Sequence, residues 1–279
     1  DGCLCIKKNA PATILICHGF MATKDDVAFI RHIFDEYNVF TFDFRAHGER
    51  STDQHCTLGQ DEKYDVIGAV KFLKEHPILR NKPIIVYGFS MGAVASILAI
   101  HEDKKLFDAA IWDCPFDSTN DLINRAFGRI KIPLFGYEFN LPGLFVLKKY
   151  AYHKYVQKVL LFVLKHIAKF DATKIFTIIE PISTKDAIKD VKIPMFLIAC
   201  HNVDKAPPSA VMNIYNNAKE TNFKRFWIAG GRKHFDAFFA NPEKYIYKIR
   251  SFVKSFLNKS FLNKKTEKIK EDPCIYQYS

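Results

Sequence analysis

Apolar runs of five to nine residues alternate along the chain with longer stretches in which apolar positions recur every three or four residues. The first kind, "ATILICHGF", "NVFTFDF", "KPIIVYGFS", "FDAAIWDCPF", "IPMFLIAC" and "FKRFWIAGG", predicts six buried strands. The second kind predicts helices at "TKDDVAFIRHIFDEY", with Thr23 as N-cap, at "DEKYDVIGAVKFLKEH", closed by Pro77, at "MGAVASILAIHE", and at "PPSAVMNIYNNAK". A broken terminal helix is expected over "FDAFFANPEKYIYKIRSFVKSFLNKS". The opening "DGCLCIKK" reads as a turn entering a strand, so an upstream segment is expected.

Strands that are apolar on both faces and alternate with helices form a mostly parallel sheet covered on both sides. The expected fold class is therefore α/β. Residues 118–190 break the rhythm, because some 70 residues between two strands exceed a simple crossover. They are read as an inserted, largely helical cap. Residues 1–117 and 191–258 then form the core, and 259–279 a polar C-terminal tail.

Composition narrows the classes. The chain has 279 residues, 48% hydrophobic and 25% charged, which suits one large core with an insertion. No apolar run reaches 18 residues, so no spanning helix is expected. Seven scattered cysteines fit a reducing, cytoplasmic setting, and no metal-ligand spacing is present; neither metal nor cofactor is expected. The formal net charge of +11 reads as a solvated basic surface, or as attraction to an anionic membrane or acidic ligand. No nucleic-acid motif accompanies it.

The candidate chemistry centres on Gly88-Phe89-Ser90-Met91-Gly92, a G-x-S-x-G pattern between a strand and a helix. A tight turn there holds a serine hydroxyl clear of the sheet edge, as a nucleophile requires. His234, in the loop after the last strand, is the candidate base. Asp204, after the fifth strand, is the candidate acid, with Asp113 as its rival. His201 precedes Asp204 and stands in the wrong order for the base. The Met91 N–H, at a helix N-terminus, is a candidate oxyanion donor, and the Phe20 N–H in "HGF" is the second. His18 reads as a loop anchor rather than a base.

"CHGF", "DFRAHGERS", "GFSMG", "DCPFDS", the Asp204 loop and His234 resemble, in order and spacing, the α/β-hydrolases of the serine aminopeptidase and monoacylglycerol lipase-like group. The resemblance spans about residues 1–255. It implies a catalytic triad of Ser90, Asp204 and His234 with Phe20 and Met91 as the oxyanion hole. It departs at Ala46 and His201, where the group carries glycine.

Residues 139–170 hold six lysines and no acidic residue. On a helix most lysines share one side and most apolar residues the other. A lid packed over the active site and a helix settling on an anionic membrane are both open readings. The expected function is hydrolysis of an ester or thioester, with a peptidase, a deacylase at a membrane surface and a non-catalytic binding protein as alternatives. The substrate is expected to be a small acyl compound.

Overall fold

A computed structural model describes residues 1–49, 54–127, 131–134, 137–140, 149–166, 175, 177–201, 206–231 and 236–271. Seven strands form one sheet: β1 (Gly2–Cys5), β2 (Thr13–Cys17), β3 (Asn38–Phe42), β4 (Ile84–Phe89), β5 (Ala109–Asp113), β8 (Met195–Cys200) and β9 (Lys224–Ala229). Their spatial order is β1-β3-β2-β4-β5-β8-β9. β1 runs antiparallel to β3, and every other pair is parallel. Strands β6 (Lys131–Leu134) and β7 (Tyr137–Asn140) make a separate antiparallel pair.

The sheet buries both faces because its residues are apolar at odd and even positions alike. Leu15, Val86, Trp112 and Leu197 pack on one side, with helices α1 (Glu62–Glu75) and α2 (Met91–Glu102). Ile14, Ile16, Tyr87, Ile111 and Ile198 pack on the other. The latter side is covered by the terminal helix α8 (Pro242–Glu271), through Tyr245, Ile249 and Phe252. Trp112 is fully buried, and its indole N–H donates to Ser96 Oγ at 2.8 Å, so burial leaves no orphaned donor there.

The six expected strands are present, and β1 joins them at the edge. Three elements differ from the sequence pattern. Residues 23–37 form turns and a 3-10 helix, Ala28–Phe34, rather than an α-helix. The Lys24 N–H is taken by Asp43 Oδ1 at 2.7 Å and Thr23 by Asp26, so side chains hold this stretch in i→i+3 turns. The β6–β7 pair lies inside 118–190, where strands of four residues are too short to register as a period. Helix α8 continues to Glu271, through more than half of what composition alone reads as a tail.

Between β5 and β8 lie α3 (Thr119–Phe127), the β6–β7 pair, α4 (Lys154–His166) and the short α5 (Thr184–Ala187). Helix α4 turns Gln157 inward. Its Nε2 donates to the Ile179 carbonyl at 2.7 Å, and its Oε1 accepts the Ile179 N–H at 3.0 Å. Residue Thr177 forms a parallel bridge with Cys56, and the Ile178 N–H donates to the Cys56 carbonyl. The outward side of α4 carries Tyr155 and Val159 beside Lys154 and Lys158, so the lysines and apolar residues do not segregate as the helical pattern suggests. Helices α6 (Pro208–Asn217) and α7 (Asp236–Ala240) complete the fold.

Candidate active site

Ser90 stands between the end of β4 and the start of α2, with φ 51° and ψ −114°. A non-glycine residue avoids that backbone region, so the turn is held there by its surroundings. Two contacts do this. The Ser90 N–H donates to the Asp113 carbonyl at 2.8 Å, which extends the β4–β5 ladder by one rung. Gly92 packs directly on the Cys17 and His18 carbonyls; a Cβ there would overlap both oxygens. The helix that follows is buried along its length, so Met91 enters it with 1% exposure. Its N–H is among the first four of α2, which have no intrahelical acceptor. Met91 Sδ sits 3.5 Å from Cys56 Sγ.

The loop after β2 lies against this turn. A Cβ built on Gly19 would approach Ser90 Cβ at 3.5 Å. Two neutral imidazoles set the loop. His18 Nε2 accepts the Phe44 N–H at 3.0 Å, so His18 Nδ1 carries the proton and donates it to the Gly19 carbonyl at 2.8 Å. His47 is arranged alike: Nε2 accepts the Met21 N–H at 3.2 Å, and Nδ1 donates to the Arg45 carbonyl at 2.8 Å. Burial pushes the His18 pKa down to about 4 and lowers that of His47, so both stay neutral near pH 7. Because the Gly19–Phe20 peptide is trans, drawing its carbonyl toward His18 turns the Phe20 N–H to the opposite side. His18 is thus an anchor, as its sequence context indicates. His47 was not singled out from the sequence; its signal is the "DFRAHGER" stretch.

That stretch is fixed in turn by Arg45. Its guanidinium spans the Asp65 carboxylate of α1, with Nη2 2.8 Å from Oδ1 and Nε 3.0 Å from Oδ2. Ala46 sits at φ 59°, the left-handed region that favours glycine.

Asp113 ends β5 beside Ser90, but its carboxyl serves a different cluster. It is 3% exposed and accepts the Tyr245 hydroxyl at 2.6 Å. Tyr87 lies 2.6 Å from that hydroxyl and 3.4 Å from Asp113 Oδ2. The thiol of Cys114, a weak donor, flanks the carboxyl, yet Oδ1 receives no well-formed hydrogen bond among the described residues. Burial raises the Asp113 pKa to about 6, opposed by the tyrosine hydroxyls. A small pocket borders the group, lined by Phe29, Ile30, Tyr87, Phe89, Phe238 and Tyr245.

Asp204 and His234 lie outside the described residues. The strands that precede them, β8 and β9, pair through Cys200 and Ala229 at the same carboxyl edge where β4 releases Ser90. His201 is exposed, and its N–H continues the ladder to the Ala229 carbonyl at 3.1 Å. Among the described residues no cluster of three or more His, Cys, Asp or Glu could hold a metal.

The mostly parallel sheet, with its antiparallel first strand, thus carries a strained serine after its central strand and a helix behind it. A family model described as the alpha/beta hydrolase fold matches residues 12–132. The chain has the α/β-hydrolase fold. Protein bem46 of Schizosaccharomyces pombe is 29% identical over 133 residues, 46% of this chain and 44% of that protein. This chain therefore matches less than half the length of that curated relative. The Pyrococcus furiosus esterase Pf2001 superposes with a TM-score of 0.63 at 24% identity, covering 89% of this chain and 84% of that one. A thermophilic esterase from Thermogutta terrifontis superposes with a TM-score of 0.60 at 17% identity, covering 91% and 93%. Both likenesses are of fold. No described helix is long and apolar enough to cross a membrane.

Proposed function

We propose that this protein is a serine hydrolase that cleaves an ester or thioester of an acyl substrate. The observation that carries the reading is the strained Ser90 backbone, φ 51° and ψ −114°, held by the Asp113 carbonyl and by the contact of Gly92 with the β2 loop. Strain of this kind is costly and clusters at functional sites. The esterases among its structural neighbours, and the resemblance of its motifs to the monoacylglycerol lipase-like group, support the same chemistry.

In this mechanism Ser90 Oγ bonds to the substrate carbonyl carbon and its proton passes to His234. Asp204 holds the His234 tautomer and stabilises the imidazolium. The N–H groups of Phe20 and Met91 bind the oxyanion, donors already fixed before substrate arrives. Collapse expels the alcohol or thiol, which takes the proton from His234, and leaves an acyl-Ser90. Water, deprotonated by His234, then attacks the acyl carbon, and the bond to Ser90 Oγ breaks as His234 returns the proton to it and the acid leaves. No cofactor takes part. Segment 118–190 acts as a cap over this edge and selects the substrate.

A fluorophosphonate probe tests the class. Intact mass should show one adduct on the wild-type chain and none on Ser90→Ala. An unlabelled wild type would favour a non-catalytic binding protein instead. On p-nitrophenyl esters, activity should peak at an acyl chain longer than acetyl, each buried methylene adding about 0.8 kcal/mol of binding. Cleavage of amino-acid amides alone would favour a peptidase.

A further inference from the structure

The outward face of α4 has a composition that the hydrolysis reaction does not require. Tyr155 is 65% exposed and Val159 48%, one turn apart on the same side of the helix. Lys154 and Lys158 stand exposed beside them, and Lys149 beside Tyr150, which is 49% exposed. Lys154 Nζ lies 5.1 Å from the centre of the Tyr155 ring, and Lys149 Nζ 5.5 Å from that of Tyr150. Among the described residues no carboxylate lies within ion-pair distance of these three lysines, and residues 139–170 contain no acidic side chain. Large apolar side chains in water are costly, and a patch of them interleaved with unpaired cations calls for an anionic, apolar counterpart.

We propose that this face docks the protein on an anionic lipid bilayer. The surface is a convex helix side rather than a groove, and a bilayer conforms to such a side where a folded protein partner would need a matching concavity. Tyrosine puts its ring among acyl chains and its hydroxyl at the headgroups, and lysine extends its ammonium to lipid phosphates while its stem stays apolar. A helix so built lies in the plane of the interface. Its inward face is tied through Gln157 to Ile179. The segment beginning at Thr177 pairs with Cys56, and Cys56 touches Met91 beside Ser90. These contacts link the inward side of α4 to the surroundings of Ser90. The inference goes beyond the hydrolase reading and does not depend on it.

The test is co-sedimentation of the full chain with phosphatidylcholine vesicles, with and without phosphatidylserine, across a salt series. Wild type should bind only the anionic vesicles and release as salt rises. Lys154→Gln with Lys158→Gln should weaken binding by about fivefold per lysine. Tyr155→Ser with Val159→Ser, which keeps the charge, should weaken it at least as much. Lys71→Gln with Lys74→Gln on α1 should leave it unchanged, as should Ser90→Ala. Circular dichroism checks that each variant is folded, and a soluble short ester monitors hydrolysis separately. Three results overturn the proposal. One is a wild type that ignores anionic vesicles. Another is equal loss in the α1 control, which would mean net charge alone. The third is concentration-dependent self-association abolished by Tyr155→Ser with Val159→Ser in a chain that does not bind lipid.

Discussion

The Tyr245 hydroxyl reaches from α8 to within 2.6 Å of Asp113 Oδ2, joining residues 132 apart in sequence. Through this bond the terminal helix grips the strand whose last carbonyl holds the Ser90 N–H.

Asp113 makes the fold sensitive to pH in a defined window. Its native pKa is raised from 3.8 to about 6, so between those values the folded chain binds a proton that the unfolded chain has released. Stability from this group is therefore full below about pH 4 and is lost as pH rises through 6. Ionising it costs about 3 kcal/mol at neutral pH. Urea denaturation of Asp113→Asn should show the variant gaining on wild type by a comparable amount between pH 4 and pH 7. Parallel stability profiles would refute the assignment.

Removing the tyrosine donor should act in the opposite sense. Tyr245→Phe keeps the buried ring but strips Oδ2 of its 2.6 Å partner, leaving only Tyr87 at 3.4 Å. A buried acceptor left unsatisfied costs about 1–3 kcal/mol. The same change should raise the Asp113 pKa further, moving the loss of stability to higher pH. Unchanged denaturation midpoints at pH 7 would show that the bond contributes nothing.

Ala46 occupies a conformation that suits glycine, with φ 59°. A left-handed alanine is strained by about 1–2 kcal/mol, and glycine adds chain entropy worth about 0.5–1 kcal/mol to the unfolded state. Ala46→Gly should therefore stabilise the protein by about 0.5–1 kcal/mol, read as a rise in Tm. A fall in Tm would mean that the Ala46 methyl, buried in the core, contributes more than the strain.

For the reaction itself, Ser90→Ala and His234→Ala should each lower ester hydrolysis by several orders of magnitude in a folded protein. Asp204→Asn should cost somewhat less, and Asp113→Asn far less again, since the Asp113 carboxyl is committed to Tyr245 and Tyr87. Steady-state kinetics on one chromogenic ester orders the four variants. If Asp113→Asn abolishes turnover while Asp204→Asn spares it, the assigned acid is the wrong one.

The sheet was readable because its strands are short apolar runs stopped by glycine or polar residues, and the serine turn because a glycine-flanked serine at a strand–helix junction has few other uses. The direction of the Asp113 carboxyl was not readable: both faces of β5 are apolar, and its partner Tyr245 arrives from the far end of the chain. His47 was hidden for a similar reason, since its role lies in a bond to the Met21 N–H, 26 residues away. Residues 28–34 have helical spacing, yet the side-chain bonds of Thr23 and Asp43 settle the backbone nearby. On α4 the pattern gives the helix but not which side turns inward, because a polar residue, Gln157, packs there beside Leu161.

That glutamine has an evolutionary consequence. Its amide presents one donor and one acceptor to Ile179, imitating a peptide unit in a strand pair, and with Leu161 it splices α4 into the structure beneath. The splice makes no demand on the outward positions of the helix. Descendants of this chain could exchange Tyr155, Lys158 or Val159 without disturbing the fold, changing what the helix docks on one substitution at a time, while inheriting an unaltered attachment to the serine's surroundings.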